Sequence, residues 1–121
     1  MTSPRRALAE ALVSVLPPEW DVRADLRPVD AITAPTVTVW TRDVAPGPTR
    51  GLRTYSLGVT LLSPVTDPAE VDDSLDDLLP ALLTAIEHLD PVTWTAAERG
   101  VWDTAYHSYS LTVSVPARKD A

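Results

Sequence analysis

The chain has 121 residues, no cysteine and a formal net charge of -7. That length fits one domain, the 45% of apolar residues can form a core, and the missing cysteines exclude disulfides, thiolate nucleophiles and cysteine-bound metals. The acidic balance and the scattered arginines argue against tight nucleic-acid binding, which needs clustered cations. No apolar run approaches the roughly 20 residues of a membrane span, and the N-terminus lacks a signal-peptide core. We therefore expect a soluble intracellular product.

The first forty residues predict one helix and two strands. A short amphipathic helix is predicted over residues 4–16, because Ser3 is a suitable N-cap and the next residue is proline. A weak alternation predicts a short strand over residues 20–26. Residues 36–42 predict a clearer strand, with Trp40 on the face opposite its two valines.

A connection rich in proline and glycine follows this strand. It spans residues 44–52, and its composition predicts a mobile loop of the hairpin type. The chain then returns as a second strand over residues 53–62. The apolar face of that strand consists of Tyr55, Leu57, Val59 and Leu61. The two strands therefore predict an antiparallel hairpin.

The longest predicted helix follows the hairpin. Asp67 can cap its N-terminus, and Glu70 can complete a capping box. Its apolar stripe consists of Leu75, Leu79, Leu82, Ile86 and Leu89. Pro80 lies inside this stripe, where a proline removes one backbone hydrogen bond and typically costs about 3 kcal/mol. Because the stripe keeps its phase past the proline, we expect one kinked, continuous helix.

The C-terminal third predicts two more strands. Residues 92–98 form the first, whose apolar face consists of Val92, Trp94 and Ala96. Residues 98–104 predict a bend. Residues 107–115 alternate between apolar and polar side chains, which predicts a strand with one buried face, and the tail 116–121 is expected to fray. The element order predicts one α+β domain over residues 1–121, a mostly antiparallel sheet of four to five strands with two main helices packed on one face.

The acidic residues of the second helix are the first candidate site. They are Glu70, Asp72, Asp73, Asp76 and Asp77. Carboxylates suit calcium or magnesium, but the spacing lacks the alternating pattern and the glycine of an EF-hand loop. Stabilisation of the helix N-terminus and solvation explain these acids, so no metal site is predicted.

No residue pattern predicts catalysis. His88 lies near the end of the second helix, where a histidine interacts favourably with the helix dipole, and His107 is expected at the boundary of the buried strand face. Neither histidine has triad or zinc spacing. No serine lies in a G-x-S-x-G elbow, and the four glycines form no phosphate-binding loop. We therefore expect neither an enzyme nor a cofactor.

Two of the four tryptophans are candidates for a protein interface. Packing is the simpler explanation for tryptophans in a chain without phenylalanine. However, Trp40 opposes the apolar face of its strand, and Trp102 lies in the predicted bend. Tryptophan is enriched among interface anchors, so we assign these two residues to an interface.

From Leu57 to Val115 the chain resembles the tail terminator proteins of long-tailed, non-contractile bacteriophages. The matching segments are LGVTLLSPVTDPAEVDDSLDDLL, the helix that runs to HLD, VTWTAAERGVW and YHSYSLTVSV. The N-terminal helix and the segment ITAPTVTVW fit the same layout. These segments match as patterns of apolar residues and turns. Pro80 departs from the smooth helix that the family pattern has at this place.

The resemblance implies a structural virion protein of the tail and neck, made in the host cytoplasm. Such proteins form a ring, typically six-fold, that caps the head-proximal end of the tail tube, ends tube polymerisation and joins tail to head. The implied partners are further copies of the chain, the major tail tube protein and the head–tail connector, with DNA only in transit through the lumen and no membrane. The expected partner surfaces consist of Trp40, Arg42, Arg50, Arg53, Asp72, Asp73, Asp76 and Trp102.

Alternatives remain open at this point. Another neck protein, either a head–tail connector or a tail-completion protein, would share the small α+β fold and the ring symmetry. A small hydrolase or ligand-binding module would use Asp72, Asp76 and His107. It predicts a pocket with converging polar groups and perturbed titration. An antitoxin-like or regulatory adaptor is compatible with the negative net charge, but no other feature of the sequence supports it.

Overall fold

The computed structural model describes residues 3–24, 32–89, 92–102 and 106–118. Along the chain these form helix α1 (Pro4–Val15), strands β1 (Asp21–Arg23), β2 (Thr36–Pro46) and β3 (Leu52–Leu62), helix α2 (Val71–Glu87), and strands β4 (Thr93–Trp102) and β5 (Tyr106–Arg118). The strands form one sheet in the order β1-β2-β3-β5-β4. Neighbouring strands run antiparallel except for the parallel pair β1 and β2. The α+β prediction is confirmed, with five strands.

Both helices pack on one face of the sheet and bury its apolar side chains. The alternation in β2, β3 and β5 places every second side chain on this face. The fully buried members are Leu12 of α1, Leu75, Leu82 and Ile86 of α2, and Val37, Val39, Leu57, Val59, Leu61, Leu111 and Val113 of the strands. Burying one such side chain contributes about 1.5–3 kcal/mol, so this layer is the main source of stability.

The N-terminal elements follow the prediction at their start. The Ser3 hydroxyl accepts a hydrogen bond from the backbone N–H of Arg6 at 3.3 Å, which caps α1. The next strand is shorter than predicted, since β1 covers three residues of the 20–26 segment and pairs with Thr36 to Thr38. Residues 25–31 lie outside the described part of the chain.

Helix α2 begins later than predicted. Residues 68–70 form a separate turn, in which Asp67 Oδ1 accepts a hydrogen bond from the N–H of Ala69 at 2.9 Å. Glu70 therefore occupies the N-cap position instead of the third helical position, and its side chain makes no capping bond. The prediction of a capping box was wrong for this reason.

Pro80 lies within one continuous helix, as predicted. Its ring is on the exposed side of α2, while Leu75 and Leu82, on either side of it in sequence, are fully buried. The apolar stripe therefore keeps its contact with the sheet past the proline. The bend at this position stays a prediction. The helix ends at Glu87, and residues 90 and 91 lie outside the described part of the chain.

The β2–β3 hairpin is longer than predicted and its connection is shorter. The connection covers residues 47–51 instead of 44–52, because the ladder continues to the pair of Pro46 with Arg53. Gly51 has a φ of 90°, which a glycine adopts without strain, and it closes the turn. A proline is tolerated in β2 because the described residues place no further partner strand along its outer edge at this point.

The last strand also continues past the predicted limit. Pro116 to Arg118 pair with Leu52 to Thr54 at the end of the hairpin, so β5 ends at Arg118. The predicted frayed tail 116–121 was wrong over its first three residues. Residues 119–121 lie outside the described part of the chain.

Strand β4 replaces the predicted bend. It runs from Thr93 to Trp102, so Trp102 is paired with Tyr106 in a strand. The ladder shifts between Thr95 and Ala97. This irregularity changes the alternation, and Ala97 instead of Ala96 packs against the core. The predicted bend was wrong over residues 98–102, because this pattern of glycine and polar residues belongs to an exposed edge strand. Residues 103 and 104 lie outside the described part of the chain.

Candidate interaction surfaces

The hairpin end of the sheet projects past the core. We call residues 43–54 and 116–118 the arm. None of their side chains is buried, whereas the core side chains of the same strands begin at Val39, Leu57 and Val113. Three strands hydrogen-bond along this segment. The arm is therefore held by its backbone ladder with little support from apolar burial.

The arm carries an excess of positive charge. Arg50 lies in its turn, Arg53 lies on β3 and Arg118 on β5, while Asp43 is the one acidic residue of the arm. The turn encloses an open hollow of about 540 Å³, whose lining includes Val44, Arg50 and Arg53. Of the predicted interface residues, Arg50 and Arg53 belong to this surface.

A second surface surrounds Trp40 on the face of the sheet opposite the helices. Its indole ring lies directly against Gly58 of β3, the neighbouring strand. The Arg42 guanidinium lies 5.4 Å from the ring centroid, and its Nη1 donates a hydrogen bond to Thr112 Oγ1 at 2.8 Å. The structure therefore brings Trp40 and Arg42 together, with the cation over the indole ring.

Two buried polar atoms near this surface have no hydrogen-bond partner among the described residues. They are Trp40 Nε1 and Thr38 Oγ1, on side chains that share one face of β2. Leaving such a group unsatisfied costs about 1–3 kcal/mol.

The third surface is the acidic first half of α2 where it meets the sheet. Arg99 of β4 forms an ion pair with Asp72, and the Tyr109 hydroxyl donates to Asp76 Oδ1 at 3.1 Å. Arg99 also lies over the Tyr109 ring, 5.5 Å from its centroid. Burial raises the pKa of Tyr109 above its usual range, and the hydrogen bond to Asp76 and its charge raise it further. Asp73 is exposed to solvent.

No protein-family model matches the chain, and no curated protein is significantly similar to it in sequence. The resemblance to tail terminators therefore remains a matter of pattern.

The sheet has two unpaired outer edges in the described residues. On one side β1 covers only Thr36 to Thr38, so the outer edge of β2 is without a partner from Val39 to Pro46. On the other side β4 is the last strand. Val101 on β4 keeps 58% of its surface exposed. Unpaired edges present rows of backbone donors and acceptors to another chain.

The eight predicted interface residues fall into separate groups. One pair lies at Trp40, one group on the arm and one on α2, and the side chain of Trp102 lies outside the described atoms. Sequence reasoning did not select Arg99, Tyr109 or Gly58. The alternation of β5 placed Tyr109 on the face toward the helices, and this could have indicated a contact with α2. The ladder shift in β4 interrupts the alternation before Arg99, so the sequence pattern did not show which face Arg99 occupies.

The histidines and acids form no further centre in the described residues. His88 lies at the C-terminal end of α2, as predicted, with its Nδ1 2.7 Å from the Thr84 carbonyl oxygen. In the described ranges no group of three or more acidic or histidine side chains could hold a metal ion. No helix there is long and apolar enough to cross a membrane.

Proposed function

We propose that the chain is a phage tail terminator, a structural protein whose copies form a ring on the head-proximal end of the tail tube. The ring ends tube polymerisation and joins the tail to the head connector. The observation that carries this proposal is that, in the described ranges, one sheet has unpaired edges on opposite sides, β2 from Val39 to Pro46 and β4.

Opposite edges favour a ring over a simple dimer. A contact between two different edges is heterologous, and such contacts generate a ring when the rotation between copies closes. Strands β2 and β5 run the same way, since both are antiparallel to β3, and β4 runs opposite to both. When β2 of one copy meets β4 of the next with the copies oriented alike, the new pair is antiparallel, like most of the sheet.

The charge of the chain also supports this role. A net charge of -7 suits a protein around a channel that DNA must cross without binding, because like charges repel. The hydrolase alternative has less support. Its Asp72 is paired with Arg99 and its Asp76 accepts from Tyr109, and both aspartates are exposed. Such contacts are typical of a solvated surface network.

The test is tube capping. The purified chain is added to polymerising major tail protein from the same genome, and tube lengths and ends are recorded by negative-stain microscopy, with light scattering on the free chain. We expect shorter tubes with a ring at one end, whereas tubes grown without the chain keep elongating. A connector or tail-completion protein would leave tube length unchanged and bind the head portal instead. A strict monomer that also leaves tube length unchanged contradicts the proposal.

A further inference from the structure

Positive and negative charges are separated along the sheet. Arg50, Arg53 and Arg118 lie on the arm, and Arg42 lies at its base. Helix α2 contains no arginine or lysine, and its first half carries Asp72, Asp73, Asp76 and Asp77. All four aspartates are exposed. The molecule therefore has a basic end and an acidic face.

These two charged regions lie toward opposite ends of the strands. The arm contains the pairs of Leu52 to Thr54 with Pro116 to Arg118, whereas Tyr109, which donates to Asp76, pairs with Leu61 at the other end of β3. Helix α2 is joined to the β4 side by the ion pair of Asp72 with Arg99. The core part of β3, from Tyr55 to Leu61, therefore separates the arm from the acidic face of its own chain. The acidic face of another copy is open to it.

We infer that the arm of one copy docks against the acidic face of α2 and the adjoining edge of β4 in the next copy. The inference rests on the proposed ring and names its contact surfaces. The occupant is a second copy of this chain, because the two surfaces are complementary in charge and lie on opposite sides of one molecule. Such complementary surfaces fix partner and orientation, and a contact between unlike surfaces propagates around a ring.

The absence of cysteine makes cross-linking a clean test. Arg50→Cys and Asp73→Cys are prepared as separate full-length variants, mixed, and treated with a short bismaleimide. We expect the fraction of dimers that contain one copy of each variant to exceed the fraction expected from random pairing. Dimers of either variant with itself should be few. The excess should fall at about 0.5 M salt, where charges are screened within a few ångströms. Arg6→Cys and Glu10→Cys, both exposed on α1, are matched controls that should give only random products.

Charge reversal supplies the second readout. Arg50→Glu and Asp73→Arg should each weaken self-association by about tenfold, because an attraction is replaced by a repulsion. The double variant should recover most of that loss. Absence of the mixed cross-link both in solution and on capped tubes overturns the inference, as does cross-linking of R50C to the tube protein alone. Capped tubes without the cross-link would support the proposed function and contradict this interface. Cross-linked oligomers that cap no tube would support this interface and contradict the proposed function.

Discussion

Substitution of Gly58 by alanine is the sharpest test of the Trp40 surface. A Cβ atom at this position would lie 2.8 Å from Cδ2 of the Trp40 ring and closer still to Cε2 and Cζ2. Real side chains do not tolerate such distances, so the indole must move away from the sheet. Its contact with Arg42, 5.4 Å from the ring centroid, would be lost at the same time.

The expected size follows from two opposing effects. Overpacking typically costs about 1–3 kcal/mol, and replacing a glycine returns about 0.4–1 kcal/mol by restricting the unfolded chain. Gly58→Ala should therefore lower the free energy of unfolding by about 1–2 kcal/mol. Gly100→Ala is the matched control in β4, since its Cβ would meet only Ser108 Oγ at an ordinary 3.6 Å. Gly100→Ala should not lower the free energy of unfolding and can raise it by up to about 1 kcal/mol.

Urea unfolding of the single and double variants measures this effect. In a Trp40→Ala background the ring is absent, so Gly58→Ala should become neutral or slightly stabilising. The coupling energy of the double-mutant cycle should then be about 1–2 kcal/mol. If Gly58→Ala costs the same with and without the ring, or if Gly100→Ala is equally destabilising, the reasoning from ring contact is refuted.

Three further outcomes are expected, each measured by chemical or thermal unfolding. Leu82→Ala, at a fully buried position, should cost about 2–5 kcal/mol, whereas Val13→Ala, at a side chain that is 59% exposed, should stay within about 0.5 kcal/mol; equal losses would contradict the assigned core. Pro80→Ala should stabilise the protein by up to about 3 kcal/mol, since it restores a donor for the Asp76 carbonyl inside α2; a loss would show that the proline ring makes a needed contact. Tyr109 has a pKa raised above 10.0, so its contribution is fully present below pH 10 and is lost as pH rises through the folded-state pKa; Tyr109→Phe should flatten this alkaline loss, and an unchanged slope would contradict the assignment.

Much of the fold could be predicted because the residues that become buried recur in the sequence with the period of a helix or a strand. Residues 107–115 alternate without a break, and this strand was found with its correct face. The alternation fails in β4, where the ladder shift at Ala96 reverses the pattern and the exposed edge has little apolar content. Residues 44–52 of the arm were predicted as a loop because proline and glycine cluster there. Its strands are held by backbone hydrogen bonds, which leave almost no mark on side-chain composition.

The same reasoning explains why the candidate surfaces were only partly predictable. Exposed charges such as Arg50 and Asp73 are visible in any sequence, but their meaning depends on the strand register, which places the arm and the acidic half of α2 at opposite ends of the strands. The stabilising layer lies between α1, α2 and the sheet, and the arm lies outside it. Stability and assembly therefore depend on different residues. Changes on the arm should alter association while leaving the unfolding midpoint nearly unchanged, and changes such as Leu82→Ala should lower the midpoint first.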